Sequence, residues 1–209
     1  MCRWGGVTAM AAAAAGLLIS QSGGRFDEAK RLAFLNVRDG QFDKAAVRLE
    51  EVWEQQRPPD SAVAEHLAMA YLNGEDRKSR RDLEAKAYEL MGKSIAAGGQ
   101  ATFVVNHSHE GFGAIQGNNW TRFCRGRLSV RPGRIIYVSE AGERVGEDSF
   151  DIEPAGLREF SEGRGDRGVF RLRIRDAAGK ERNYNMAPRS WSAQDTRELI
   201  RLVTAHVSK

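Results

Sequence analysis

The stretch MGKSIAAGGQATFVVNH, residues 91–107, separates two different sequence patterns. Before it, apolar residues recur every three or four positions, which predicts amphipathic helices. After it, short runs of alternating apolar and polar residues predict strands. Gly98 and Gly99 interrupt both patterns. The sequence therefore predicts an α+β protein whose parts meet near Gly99.

Charge is distributed unevenly between these two parts. The chain has 209 residues, of which 29% are charged, and a formal net charge of +4. This composition excludes a multi-span membrane protein and suits one or two small domains. Residues 25–100 contain 13 Lys/Arg and 14 Asp/Glu, whereas residues 101–209 contain 18 and 14. The excess positive charge therefore belongs to the second part.

Residues 1–24 form a separate segment. Arg3 is the only charged residue before Arg25, and Val7–Ile19 is almost wholly apolar, with small polar residues after it. This layout is typical of a secretory signal peptide, and an uncleaved membrane anchor is the alternative. We therefore predict an exported protein, either periplasmic or anchored in the cell envelope. Two cysteines, Cys2 and Cys124, are too few for a disulfide-rich fold.

Residues 25–99 predict two pairs of antiparallel helices. The apolar face of the first helix carries Phe26, Ala29, Leu32, Ala33 and Leu35 or Asn36. Asp39 and Gly40 end this helix, and Pro58 ends the second. A similar pattern recurs after about 35 residues, which is the period of a helical repeat.

These helices resemble the tetratricopeptide repeat (TPR) family. The matching positions are Leu32, Ala33, Gly40, Phe42, Ala45, Leu49, Val52 and Pro58 in the first copy, and Leu67, Ala68, Tyr71, Ala87, Met91 and Ser94 in the second. Asn36 replaces an aromatic residue of the family, and Gly74–Arg81 is an insertion. The resemblance implies a groove that binds a peptide or protein. Two repeats leave an open end, which the second domain, another copy or a partner must cover.

Residues 100–209 predict seven strands and one helix. The strands are Ala101–His107, Cys124–Val130, Arg134–Val138, Gly146–Ile152, Gly156–Phe160, Val169–Arg175 and Arg182–Met186. Placing Arg175 opposite Glu181 puts the apolar residues of the last two strands on one face. Ser192 and Asp195 predict a capped helix. Its apolar stripe comprises Thr196, Leu199, Ile200, Val203 and Val207.

Seven antiparallel strands followed by one amphipathic helix resemble the pleckstrin-homology (PH)-like superfold. The segments Cys124–Leu128 and Ile135–Tyr137 look like those of its bacterial and GRAM-type members. The resemblance implies a seven-stranded antiparallel PH-like β-barrel with a C-terminal capping helix. Its members bind phosphoinositides, peptides or proteins, and many bind no lipid, so the fold alone assigns no ligand.

His107, His109 and Cys124 are the candidate metal ligands. The two histidines lie on the same side of an extended segment, and this set of side chains suits zinc or copper. The spacing matches no strong metal signature and no fourth ligand is evident. We therefore favour strand-end histidines with a buried structural cysteine, and expect no cofactor.

Arginine rows on two strands are the candidate partner-binding residues. They comprise Arg125, Arg127 and Arg131 on one strand, and Arg171, Arg173 and Arg175 on another. Such rows suit phosphate groups, as on an anionic lipid surface, or an acidic protein. Interspersed acidic residues favour a solvated face with cross-strand pairs instead. Nucleic acid is not expected, because no RNA-binding aromatic signature accompanies the arginines.

No assembled catalytic motif is found in the sequence. We predict a non-enzymatic interaction or scaffold protein that binds a protein or peptide partner through its TPR-like helices, residues 25–99. The PH-like domain, residues 100–209, is a second binding module. The alternatives are a metal-binding or thiol-dependent protein and an anionic-membrane-surface protein. The sequence leaves the oligomeric state open.

Overall fold

The computed structural model describes residues 26–55, 60–75, 81–108, 124–141, 148–163 and 168–207. The predicted signal or anchor, 1–24, lies outside the described residues. Four helices come first: α1 at 26–38, α2 at Phe42–Gln55, α3 at Ser61–Asn73 and α4 at Arg81–Ala96. Within the described residues, no helix is both long and apolar enough to cross a membrane.

A tight turn joins α1 to α2. Gly40 lies in this turn with φ +74°, a left-handed conformation that glycine adopts without strain. On α2, Ala45, Leu49 and Val52 are fully buried at helical spacing, as the apolar periodicity predicts. Helix α3 packs against both α2 and α4. The structure therefore confirms helices in this part of the chain.

Asp60 caps α3 and connects it to α1. Its carboxylate accepts hydrogen bonds from the backbone N–H groups of Ala62 (2.8 Å) and Val63 (3.4 Å), and it forms an ion pair with Lys30. Burial acts to raise the pKa of Asp60, but the Lys30 hydrogen bond and the backbone donors together hold this pKa below its usual value. The ionised carboxylate is therefore stabilised by folding.

Asp60→Ala is expected to lower the free energy of unfolding by about 1–2 kcal/mol, because α3 loses its N-cap. Asp60→Asn should cost less, since the amide oxygen still accepts. The pKa of Asp60 is lower in the folded than in the unfolded state. Its contribution is therefore present above the unfolded pKa and is lost as pH falls through the folded pKa. Urea unfolding at neutral and acidic pH measures both effects, and an unchanged wild-type-to-alanine difference in acid would contradict the assignment.

In the described ranges, seven strands form one antiparallel sheet. They are β1 Ala101–Ser108, β2 Cys124–Arg131, β3 Arg134–Ala141, β4 Phe150–Ile152, β5 Leu157–Glu162, β6 Phe170–Arg175 and β7 Glu181–Pro188. Their order across the sheet is β4-β3-β2-β1-β7-β6-β5. The predicted strand start at Gly156 is wrong, because this residue belongs to the 3-10 turn Pro154–Gly156 that joins β4 to β5.

The predicted register of β6 and β7 is confirmed. The observed pairs include Arg175–Glu181, Leu172–Tyr184 and Phe170–Met186. Along β6, buried apolar residues alternate strictly with exposed arginines. A one-residue slip would bury the arginines, so this alternation fixes which side chains face the core, and the turn closed by the Asp176 N–H and the Lys180 carbonyl oxygen fixes the pairing.

The described part of the sheet is open, which corrects the predicted closed barrel. Strands β4 and β5 lie at its two edges and no backbone pairing joins them in the described residues. Strand β4 pairs with β3 over only three residues. Helix α5, Ala193–His206, packs on β5, β2 and β7. The helix thus covers apolar surface that closure would otherwise bury.

The start of α5 is capped as predicted, but its buried face differs. The Ser192 hydroxyl accepts a hydrogen bond from the Asp195 backbone N–H at 3.4 Å. The Asp195 carboxylate accepts from the hydroxyls of Tyr88 and Ser190. Anchored this way, the helix buries Leu202 completely and leaves Ile200, predicted for the stripe, only half-buried.

Strand β1 is buried on both faces. Successive side chains of a strand point to opposite faces, and yet Ala101–Val105 is buried throughout. Helices α3 and α4 pack on this strand, so they cover the face that would otherwise be solvated. One continuous hydrophobic core contains residues from the helices and from the sheet. This explains why the apolar run of β1 does not alternate.

A buried hydrogen-bond network joins the helices to the sheet. The Glu65 carboxylate of α3 accepts from Gln100 Nε2 at 2.8 Å and from Thr102 Oγ1 at 2.5 Å. Thr102 and Ser129 hydroxyls lie 2.8 Å apart, which extends the network into β2. Buried polar groups are costly unless they are paired. The network therefore fixes which residues of α3 face which residues of the sheet.

Candidate functional site

His107 and Cys124 lie directly opposite each other at one end of the sheet. They are partners in the register of β1 and β2. Both side chains are buried. His107 Nδ1 is 4.0 Å from Asp148 Oδ2. The pairing brings together two of the three predicted metal ligands.

Two tyrosine rings pack against His107 in this cluster. The ring centroids of Tyr184 and Tyr137 lie 5.1 Å and 5.9 Å from that of His107. Burial raises the pKa of both tyrosines above the usual value. Both phenols are therefore neutral at physiological pH and are suited to hydrogen bonding rather than to charge-based chemistry.

The structure describes only two of the three predicted metal ligands, His107 and Cys124. His109 lies outside the described residues. In the part of the chain that the structure describes, no group of three or more His, Cys, Asp or Glu side chains is placed to hold a metal ion. Protein zinc sites use three or four such ligands. Metal or thiol chemistry at His107 and Cys124 stays a prediction.

The predicted arginine rows lie on two separate parts of the sheet. Arg125, Arg127 and Arg131 are on β2, and Arg171, Arg173 and Arg175 are on β6. Strands β1 and β7 lie between these strands. The structure therefore does not bring the six arginines together into one surface.

Several row arginines form ion pairs with carboxylates. The pairs are Arg127–Glu140 at 2.9 Å, Arg173–Glu159 at 3.5 Å and Arg175–Glu181 at 2.9 Å. Exposed pairs of this kind contribute little to stability, but each cancels most of the local charge. This agrees with the solvated-face interpretation for these three residues.

Arg189 is a basic residue that sequence reasoning missed. Its backbone N–H donates to the Val104 carbonyl oxygen at 2.8 Å, and its guanidinium lies 5.1 Å from the centre of the Phe42 ring. Burial, and then the charge of Arg125, lower the pKa of Arg189 from the usual arginine value. The sequence contains no signal for this neighbourhood, because it depends on the pairing of β7 with β1.

A groove of about 450 Å³ lies between α2, α3 and α4. Its apolar lining comprises Leu67 and Tyr71 from α3, Leu90 from α4 and Trp53 from α2. Leu67 and Tyr71 occupy TPR-like positions in the sequence analysis. Trp53 is half-buried, whereas the other three are buried. Trp53 is therefore the aromatic side chain most available to a ligand.

Charged side chains surround this apolar lining. They are Glu50 and Glu54 from α2, and Lys86, Glu89 and Lys93 from α4. Glu50 accepts a hydrogen bond from the Tyr71 hydroxyl at 2.6 Å. Lys93 pairs with Glu89 at 2.6 Å and lies 5.9 Å from the centre of the Trp53 ring. The groove is thus mostly charged, with an apolar patch formed by Trp53, Leu67, Tyr71 and Leu90.

No protein-family model matches this sequence. No curated protein matches it either. The resemblance to TPRs and PH-like domains therefore stays a prediction at the level of family.

Two solved structures show distant likeness. One is the complex of PDZ-RhoGEF DH/PH domains with GTP-gamma-S activated RhoA, with 9% identity, a TM-score of 0.39, and coverage of 83% of this chain and 55% of that chain. The other is Vav1 inhibited by an allosteric inhibitor, with 10% identity, a TM-score of 0.30, and coverage of 80% and 31%. This chain spans about half the length of the first matched chain and about a third of the length of the second. At these TM-scores, neither likeness bears on function.

Proposed function

We propose that this protein is a non-enzymatic interaction module that binds a peptide segment of a partner protein in the groove between α2, α3 and α4. The groove's apolar lining and charged rim carry this proposal. Tryptophan and tyrosine are enriched among the residues that dominate binding energy at protein interfaces. Trp53 supplies such a side chain here.

Charge complementarity indicates the kind of peptide that fits. The rim carries three carboxylates and two ammonium groups, and the Lys93–Glu89 pair accounts for one of each. The five groups therefore sum to one net negative charge. A peptide with one large apolar side chain and a neighbouring lysine or arginine complements this surface.

Packing between the two parts of the chain supports the TPR-like arrangement. Two helix pairs are fewer than a repeat array needs for stability, so the open end requires a cover. Strand β1 packs on α3 and α4 and supplies one. In this proposal the PH-like part covers the short array and is a second binding module. The protein acts outside the cytoplasm, as residues 1–24 predict.

Trp53→Ala is expected to weaken peptide binding at least tenfold, because it removes the exposed aromatic surface of the groove. The ligands are peptides of twelve residues, selected from a random display library on the full chain, and affinities are measured by calorimetry. Val47→Ala is the matched control, since Val47 lies on the same helix, is 70% exposed and is not part of the groove lining.

The proposal predicts that the selected peptides share an apolar residue beside a basic one. It also predicts that their affinity is unchanged by Val47→Ala. A library that yields no binder, or binders whose affinity is insensitive to Trp53→Ala, would exclude the groove as the binding site.

A further inference from the structure

We propose that Arg125 and Arg189 together bind a phosphate group at the junction of the sheet with α2. Arg125 lies opposite Asn106 in the pairing of β2 with β1. Arg189 follows β7 and donates its backbone N–H to Val104, two residues before Asn106. Strand β1 thus holds the two arginines on either side of one short segment.

Both side chains lie on the outward face of the sheet. The interior face of β2 carries Cys124, Gly126 and Leu128, which are buried, so the intervening Arg125 faces outward. On the other side of β1, the Arg189 guanidinium contacts Phe42, at the start of α2. Asn106 lies between them in the register and is half-buried. Its amide adds a hydrogen-bond donor to the same site.

Arg125 belongs to one of the arginine rows, but its charge and that of Arg189 are not compensated in the way that the charges of Arg127 and Arg173 are. Arg127 and Arg173 each have a carboxylate within 4 Å, but among the described residues no carboxylate pairs with Arg125 or Arg189. The nearest acidic residue of α2 along the chain, Asp43, accepts from the Glu75 backbone N–H at 3.1 Å. Two like charges near partly buried surface are unfavourable, and a bound anion would offset this repulsion.

The chemistry of two guanidinium groups favours phosphate over a single carboxylate. Each guanidinium offers a planar set of donors that binds two oxygens at once. Phe42 offers the Arg189 guanidinium an aromatic ring rather than a carboxylate, so this contact leaves the N–H groups available to an anion. A phosphate monoester carries a charge close to −2 at neutral pH and three acceptor oxygens, which matches two guanidinium groups. A carboxylate offers one charge and two oxygens.

Calorimetric titration of the full chain with inorganic phosphate at low ionic strength tests the proposal. We expect saturable binding of one phosphate per chain. Arg125→Gln and Arg189→Gln should each weaken it at least tenfold. Arg173→Gln is the matched control, because it removes an equal charge from an arginine that is paired with Glu159, and it should leave the affinity within twofold. Thermal unfolding without phosphate shows whether each variant folds.

Two further arms identify the source of the phosphate group. Glycerol phosphate is the soluble probe, and phosphatidylcholine vesicles containing phosphatidic acid are the membrane probe. Arg189-dependent binding of glycerol phosphate alone indicates a soluble ligand, and Arg189-dependent vesicle binding indicates a lipid headgroup. The proposal is overturned if folded wild-type protein binds no phosphate, or if Arg173→Gln weakens binding as much as Arg189→Gln does.

Discussion

Phe103→Ala is expected to lower the free energy of unfolding by about 3–5 kcal/mol, the usual cost of truncating a buried phenylalanine. Phe103 is 2% exposed and belongs to β1, the strand that is buried on both faces. The mutation leaves a cavity that the sheet cannot easily fill, since α3 and α4 hold the other face of this strand. Urea unfolding measures the change.

The same experiment tests whether the helices and the sheet are stabilised by one core. Because the core is continuous, helical circular dichroism and the NMR signals of the β-strand amides should report one coincident transition. Phe103→Leu should cost less, since it keeps most of the buried volume. Val138→Ala, at a 49% exposed position of β3, should cost little. A variant whose sheet unfolds first while the helices persist would contradict the shared core.

Gly126→Ala is expected to destabilise the protein by about 3 kcal/mol, at the upper end of the usual cost of overpacking. An added Cβ would lie 2.4 Å from the Val138 carbonyl oxygen and 2.5 Å from Tyr137 Cε2. The first contact is with backbone and the second with a fully buried ring, so neither can move aside cheaply. Thermal or urea unfolding at neutral pH measures the loss.

Gly92→Ala is the matched control for this substitution, and the expected sign is opposite. Gly92 is inside α4, where an added Cβ meets nothing within 4 Å. Alanine has the higher helix propensity, so this variant should gain about 0.5–1 kcal/mol. Destabilisation at Gly92, or a neutral result at Gly126, would show that the packing around these two glycines differs from the structure.

Local patterning was enough to predict most helices and strands. The arginines of β6 alternate with Phe170, Leu172 and Ile174, and the turn at residues 176–180 selects one of the registers that bury this apolar set, so the β6–β7 pairing followed from sequence. The sequence-based predictions failed where contacts between distant segments determine which residues are buried. Ile200 and Leu202 are equally apolar, so the sequence does not show which of them faces the core. The hydrogen bond from Tyr88 of α4 to Asp195 sets the rotation of α5 about its axis, and this rotation buries Leu202.

The candidate binding residues were less predictable than the fold. Arginine spacing placed the rows on outward faces, but it gave no information on which arginines form ion pairs with carboxylates. Glu140 lies on the strand adjacent to Arg127, so its ion pair depends on sheet pairing. The position of Arg189 depends on β7 lying beside β1 and on Phe42 of a distant helix.

The sequence by itself determined what periodicity and turn residues encode: helices before Gly99, strands after it, and a capped final helix. These features depend on contacts within a few residues or between neighbouring strands. Only the tertiary structure decided that β1 is covered on both faces, that the described part of the sheet is open, and that Arg125 and Arg189 lie on either side of one segment of β1. Each of these depends on packing between segments far apart in the chain, and a local pattern carries no information about such partners.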